Sequence, residues 1–329
     1  MAVPQMIVVS LRGSGTPLLA DVTTALGYTS YGTMGGDPRG GDDRPGPGEV
    51  YPLLEAAFGQ DRATLLLHGQ RQNREALEAA FQDAVSALWR IWWMRLGQPT
   101  TLASPVDPGT EARLARLPDS TLLALLPGRG CWYLTGLDLR RADAGFLRAW
   151  HAGRQPPLVF HHRDIRDRII SQIRMLSRPA DRVGSMPEHL IYRDILAALP
   201  TLDDRITLAL TDPCFPGMEE ARRSRWMLHH PAVCVLTHEE LTGPTTGARA
   251  QALTRLLRAL GHPDPSAELA GTPSLATADD AEVAVGTGRT LFTPAHEDLL
   301  HRHHSDLLPA GPPPTGVLPD GHNAPAPTG

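Results

Sequence analysis

The chain has 329 residues, 41% of them hydrophobic and 20% charged, with a formal net charge of −5. That length carries one large domain with a sizeable core, and the acidic balance speaks against nonspecific nucleic-acid binding. All 31 basic residues are arginines, so a phosphate loop closing in Gly-Lys-Ser/Thr is excluded, as is any lysine Schiff base.

The opening MAVPQMIVVS lacks the basic start and long apolar core of a signal peptide, and no run reaches the length of a membrane span. A first strand is predicted at 6–10, followed by a glycine turn and a helix over 16–26. The Gly/Pro-rich stretch 32–50 reads equally as a flexible insertion or as a lid over a ligand. Further strands are predicted at 64–68, 131–135, 157–162, 206–211 and 232–237. Helices are predicted around 73–96, 165–178, 187–199, 217–228 and 246–260.

Continuous apolar runs, rather than strict alternation, suit strands buried on both faces of a parallel sheet. Their alternation with helices predicts an α/β, three-layer fold with a central parallel sheet. That domain spans 1–308, and the Pro/Gly-rich tail 309–329 reads as disordered. Three scattered cysteines, Cys131, Cys214 and Cys234, fit no disulfide framework and predict a reducing, cytoplasmic setting.

Two stretches carry chemistry. After the first strand comes LRGSGTP (11–17). Gly13 and Gly15 let the backbone curl so that successive N–H groups converge, and the following helix start adds partial positive charge. Arg12, Ser14 and Thr16 can donate to the same anion, and Pro17 suits the first helical turn. The second stretch, FHHRDIRDRIISQIRML (160–176), leaves a strand and opens a helix. Arg163 can grip a phosphate bidentately, with Ser171 two helical turns on; a salt-bridged helix start is the alternative.

These blocks resemble the sulfotransferases that use 3′-phosphoadenosine 5′-phosphosulfate (PAPS), in particular their bacterial small-molecule branch. RDIRDRIIS (163–171) is similar to that family's Arg-Asp-Pro-Arg-Asp…Ser block. VCVLTHEELTGP (233–244) is similar to its strand followed by Tyr-Glu-Asp-Leu, with His238 at the tyrosine. GTGRTLFTPAHEDLL (286–300) resembles its C-terminal glycine loop and closing helix. The resemblance runs from about residue 6 to about 308. It implies a P-loop-like fold and transfer of a sulfuryl group from PAPS to a hydroxyl or amine of a small-molecule acceptor, with no metal. It implies PAPS binding by Arg12, Gly13, Ser14, Gly15, Thr16 and Pro17, by Arg163 and Ser171, and by Gly288, Arg289 and Thr290. A homo- or heterodimer is left open, and neither nucleic acid nor membrane is an expected partner.

The departures are as informative. The family's active-site cation falls at Gly13, with Arg12 one residue early, and its Lys-Thr-His base falls at Gly136 in YLTGL (133–137). Arg12 is therefore the expected cation. His68, at the end of a predicted strand, and Asp138 are the expected bases. Of His161 and His162, one is expected to turn into the core and the other to pack against adenine or solvent. Trp89, Trp92 and Trp93 suit a core better than an acceptor platform. The run HRHH (301–304) reads as a solvated last helix, since no carboxylate or cysteine completes a metal set around His301 and His304. A catalytically degenerate, nucleotide-binding subunit is the rival reading.

Overall fold

The computed structural model describes residues 5–32, 47–68, 74–98, 106–125, 128–153, 156–183, 186–242, 246–262 and 284–308. Most of the glycine-rich stretch and the whole C-terminal tail lie outside these residues. Five strands, β1 (Met6–Ser10), β2 (Thr29–Gly32), β3 (Gly130–Leu134), β4 (Leu158–His162) and β5 (Val233–Thr237), form one sheet in the order β2-β3-β1-β4-β5. Every pairing is parallel.

Side-chain alternation along the strands feeds two cores. Ile7, Val9, Trp132, Leu134 and Phe160 face α2 (Pro47–Phe58), α4 (Arg74–Arg95) and α7 (Ala144–Gly153). Met6, Val8, Cys131, Tyr133, Val159 and Leu236 face α1 (Thr16–Ala25) and α14 (Thr246–Ala259). The inner strands β1 and β3 are thus buried on both sides, which is why their sequences read as unbroken hydrophobic runs. The result is a three-layer α/β architecture. A third core, centred on Ile169, Ile173, Leu196 and Leu210, binds α8 (Ile165–Leu176), α10 (Pro187–Ala197), α11 (Leu202–Thr211) and α16 (Pro294–His304) to one another. Among the described residues no helix is long and apolar enough to cross a membrane.

Two predicted strands are helices. Residues 206–211 belong to α11, where Ile206, Ala209 and Leu210 are buried at helical spacing. Thr201 and Asp204 form a reciprocal capping box that nucleates it. Residues 64–68 close α3 (Gln60–His68), which buries Ala63 and Leu66 and leaves Leu65 62% exposed. Leucine runs suit a helix as well as a strand, and here the face decides. The strand that sequence missed, β2, has only four residues and lies at the sheet edge, where Tyr31 stacks on Trp132 with ring centroids 4.4 Å apart. Trp92 is buried and meets Phe146 edge-on, and Trp89 packs on Trp132 at 4.6 Å, so this aromatic cluster is core.

Candidate functional site

The chain moves to one side of β1 after β1 and to the other side after β4, so the loops leaving these neighbours diverge and open a crevice at their carboxyl ends. In parallel α/β sheets this switch point is where ligands bind. The loops that leave it here are the glycine turn and the Arg163 block. Leu11 N–H donates to the His161 carbonyl at 3.2 Å, which extends the pairing just to the crevice.

The turn is built by two residues in the left-handed region, Gly13 (φ 78°) and Gly15 (φ 82°), with Gly15 as the N-cap of α1. Ser14 N–H closes it onto the Leu11 carbonyl at 3.0 Å. Ser14 is fully buried, and its hydroxyl has no hydrogen-bond partner. Thr16 is tied inward: its hydroxyl lies 2.8 Å from that of Ser10, which is 2.9 Å from Nδ1 of His161. Pro17 is exposed at the helix start.

His161 and His238 line the underside of this turn, with ring centroids 6.4 Å apart. His161 Nε2 has no partner, and His238 faces the Ser14 backbone with neither nitrogen in hydrogen-bond geometry. Burial pushes His161 down to about 3 and His238 to about 4, with the Arg163 charge adding to the effect on His238, so both are neutral imidazoles at neutral pH. His162 is half-buried, stacked on Phe160 at 5.4 Å, and burial lowers it to about 4. Buried polar atoms without partners cost free energy unless a water or a ligand completes them. Four such atoms, Ser14 Oγ, His161 Nε2 and both His238 nitrogens, cluster here.

The other half of the crevice is more fully engaged. Arg163 is buried and ion-paired to Asp167 at 3.5 Å; burial is the main influence on it and lowers its pKa. Asp167 also accepts the N–H groups of Gly286 (2.8 Å) and Gly288 (2.6 Å), so a carboxylate caps α15 (Thr287–Leu291). Gly288 is packed against the backbone of Arg166 and Asp167, leaving no room for a side chain. The Thr290 hydroxyl bonds back to the Gly286 carbonyl, while Arg289 is 74% exposed and lies 3.6 Å from Asp164. Ser171 is half-buried on α8. Arg166 clamps Glu297 of α16 bidentately at 2.6 and 2.7 Å, which makes it a structural tie.

Arg12 leaves the turn toward a cluster that sequence reading missed. Its guanidinium meets Glu188 at 3.3 Å, His189 Nε2 at 3.1 Å and Glu220 at 3.5 Å. His189 Nδ1 faces the Val183 carbonyl at 3.4 Å. The tautomer that fits both contacts carries its proton on Nδ1 and its lone pair on Nε2. Burial and the Arg12 charge hold its pKa below the ordinary histidine value. Glu188 and His189 open α10, and Glu220 lies on α12 (Met218–Ser224). Some 176 residues separate Arg12 from Glu188, so no local spacing could have linked them. His238 was visible only as the residue at which 233–244 departs from the resemblance.

The two expected bases change character. His68 ends a helix rather than a strand, is exposed, and bonds the Thr64 carbonyl of its own turn at 2.9 Å. Asp138 does follow β3, but Arg140 binds its carboxylate at 3.1 Å and Arg223 faces it at 3.4 Å, holding it below the usual carboxylate range. A carboxylate so stabilised is a weak proton acceptor. Gly136 packs on α12: a Cβ there would lie 3.0 Å from that of Glu220 and 3.3 Å from Ser224 Oγ. In the last helix His304 is buried, bonded to the Leu210 carbonyl at 2.9 Å and to Arg222 at 2.7 Å, so that residue is not solvated as expected. No group of three or more metal-ligating side chains occurs among the described residues.

No family model, curated protein or solved structure matches this chain.

Proposed function

We propose that this chain is a PAPS-dependent sulfotransferase for a small-molecule acceptor, with the nucleotide lying across the β1–β4 crevice. The observation that carries the reading is the meeting of the glycine turn and the Arg163 block at the switch point, over a floor of buried polar atoms without partners. PAPS supplies an activated sulfuryl group and leaves as adenosine 3′,5′-bisphosphate.

Ser14, Gly15 and Thr16 suit the phosphosulfate end, because that turn offers an orphaned hydroxyl and the first N–H groups of α1. Arg163, Ser171 and Arg289 would hold the 3′-phosphate. Arg163 shares its charge with Asp167, and Arg289 is exposed enough to swing inward. Arg12 orients the transferred group from beside the turn. His189 takes the base role here: it is neutral at working pH, and its Nε2 lone pair, which accepts from Arg12, is freed when Arg12 turns to the transferred group.

A second reading is favoured by the state of Arg12, which two carboxylates already engage. In that reading the chain binds the nucleotide and supports an active partner without turnover. Calorimetry with adenosine 3′,5′-bisphosphate, combined with radiolabelled sulfuryl transfer from PAPS to a mixed pool of hydroxyl and amine acceptors, separates the two. Binding with transfer supports the enzyme, binding without transfer the partner subunit, and absence of binding defeats both.

A further inference from the structure

Arg168 is a buried cation whose direct partners are neutral. It stands on α8, is 6% exposed, and donates from Nε to the Arg12 carbonyl at 3.2 Å and from Nη2 to the Gly217 carbonyl at 2.9 Å. Among the described residues no carboxylate lies within salt-bridge distance of it. The acid whose field reaches it, Glu220, is bridged to Arg12. Burial lowers Arg168 to about 10, which leaves it charged at neutral pH.

Its placement against the glycine turn is intimate. The carbonyl that it holds belongs to the residue before Gly13, and a Cβ at Gly13 would come within 2.8 Å of the Arg168 carbonyl. Two carbonyl acceptors call for N–H donors, not for a charge. A guanidinium adds a positive charge, and a buried charge is costly unless an opposite charge meets it. Independently, the turn's own Ser14 hydroxyl is fully buried and lacks a partner. Both observations point to the same missing component: an anion seated in the turn.

We propose that Arg168 is a positioning residue for an anionic sulfate or phosphate ester held by the Gly13–Thr16 turn, fixing the turn through the Arg12 carbonyl and balancing the ligand's charge from below. The proposal rests on the anion-binding part of the functional reading and is independent of whether sulfuryl transfer follows.

The test uses the full chain with inorganic pyrophosphate and adenosine 3′,5′-bisphosphate as probes, read by calorimetry and by the ligand-induced rise in Tm. Arg168→Gln removes the charge and keeps an N–H near the Nε position for the Arg12 carbonyl, giving up the Nη2 donor to the Gly217 carbonyl. It should weaken pyrophosphate binding tenfold or more and remove most of the ligand-induced rise, while the ligand-free Tm changes little, the lost Gly217 hydrogen bond being offset by the relieved burial of a charge. Arg168→Lys should bind within about threefold of wild type at pH 7. Its affinity should then fall as pH rises through the buried lysine's depressed pKa, over a range where wild type stays flat. Unchanged affinity in Arg168→Gln overturns the proposal, as does equal loss in both variants with a lowered ligand-free Tm, which marks a structural tether alone. If Arg168→Gln does not fold, a flat pH profile in Arg168→Lys overturns it instead. Wild-type binding of pyrophosphate but not of the bisphosphate removes the nucleotide reading and leaves Arg168 standing. Bisphosphate binding that survives Arg168→Gln does the reverse, and no binding of either probe overturns both.

Discussion

The imidazole of His238 lies directly against Gly15, so closely that a Cβ on Gly15 would sit inside van der Waals contact with the ring. The first turn after β1 and the first turn after β5 are therefore fitted to one another across β4. Gly15 is needed for its positive φ and, separately, for its missing side chain.

Gly15→Ala should destabilise the protein by about 2–4 kcal/mol, combining left-handed strain with overpacking against a buried ring. Urea denaturation measures it, and an unchanged midpoint would show that the ring has space to move.

Acid should unfold this protein through its buried histidines. Folded-state values of about 3 for His161 and about 4 for His238 lie below an unfolded value near 6.5. The unfolded chain therefore binds more protons between those limits. The stability of keeping both imidazoles neutral is complete above about pH 6.5 and drains away as pH falls toward the folded values. Each group contributes a slope of up to about 1.4 kcal/mol per pH unit in that window. Denaturation curves from pH 7.5 to pH 4.5 should show this decline, and His238→Gln should flatten it. A variant slope equal to wild type would count against the assignment.

Arg163→Ala should weaken adenosine 3′,5′-bisphosphate binding by about 2–3 kcal/mol, the scale of a lost charge-assisted hydrogen-bond pair. The same change leaves Asp167 without its cation, so Tm is measured alongside affinity. Full affinity in a folded variant would move the 3′-phosphate elsewhere.

For turnover, His189→Ala should lower kcat by about 10²-fold or more while leaving nucleotide affinity intact, the usual scale of a lost general base. Arg12→Ala should lower kcat as well. His68→Ala should leave both parameters at wild-type values, because that ring is exposed and satisfied within its own helix. Steady-state kinetics on the three variants decides between His189 and His68, and loss of activity in His68→Ala alone would move the base role to His68.

By itself the sequence determined the parallel sheet, four of its five strands, and the positions of the glycine turn and of the helix start after Arg163, because each is written locally. Doubly buried strands read as unbroken apolar runs, and Gly13, Gly15 and Arg163 mark a turn and a helix start within a few residues of their own positions. Local pattern misassigned 64–68 and 206–211, where short apolar runs suit either period and only the buried face discriminates. It passed over β2, whose four residues are held by pairing to β3 rather than by their own composition. What tertiary structure alone decided is who meets whom at the crevice. Glu188, His189 and Glu220 reach Arg12, His238 seats under Gly15, and Asp167 caps a loop more than a hundred residues away. Those contacts come from strand order and helix packing, which close loops whose sequence separation leaves no local trace.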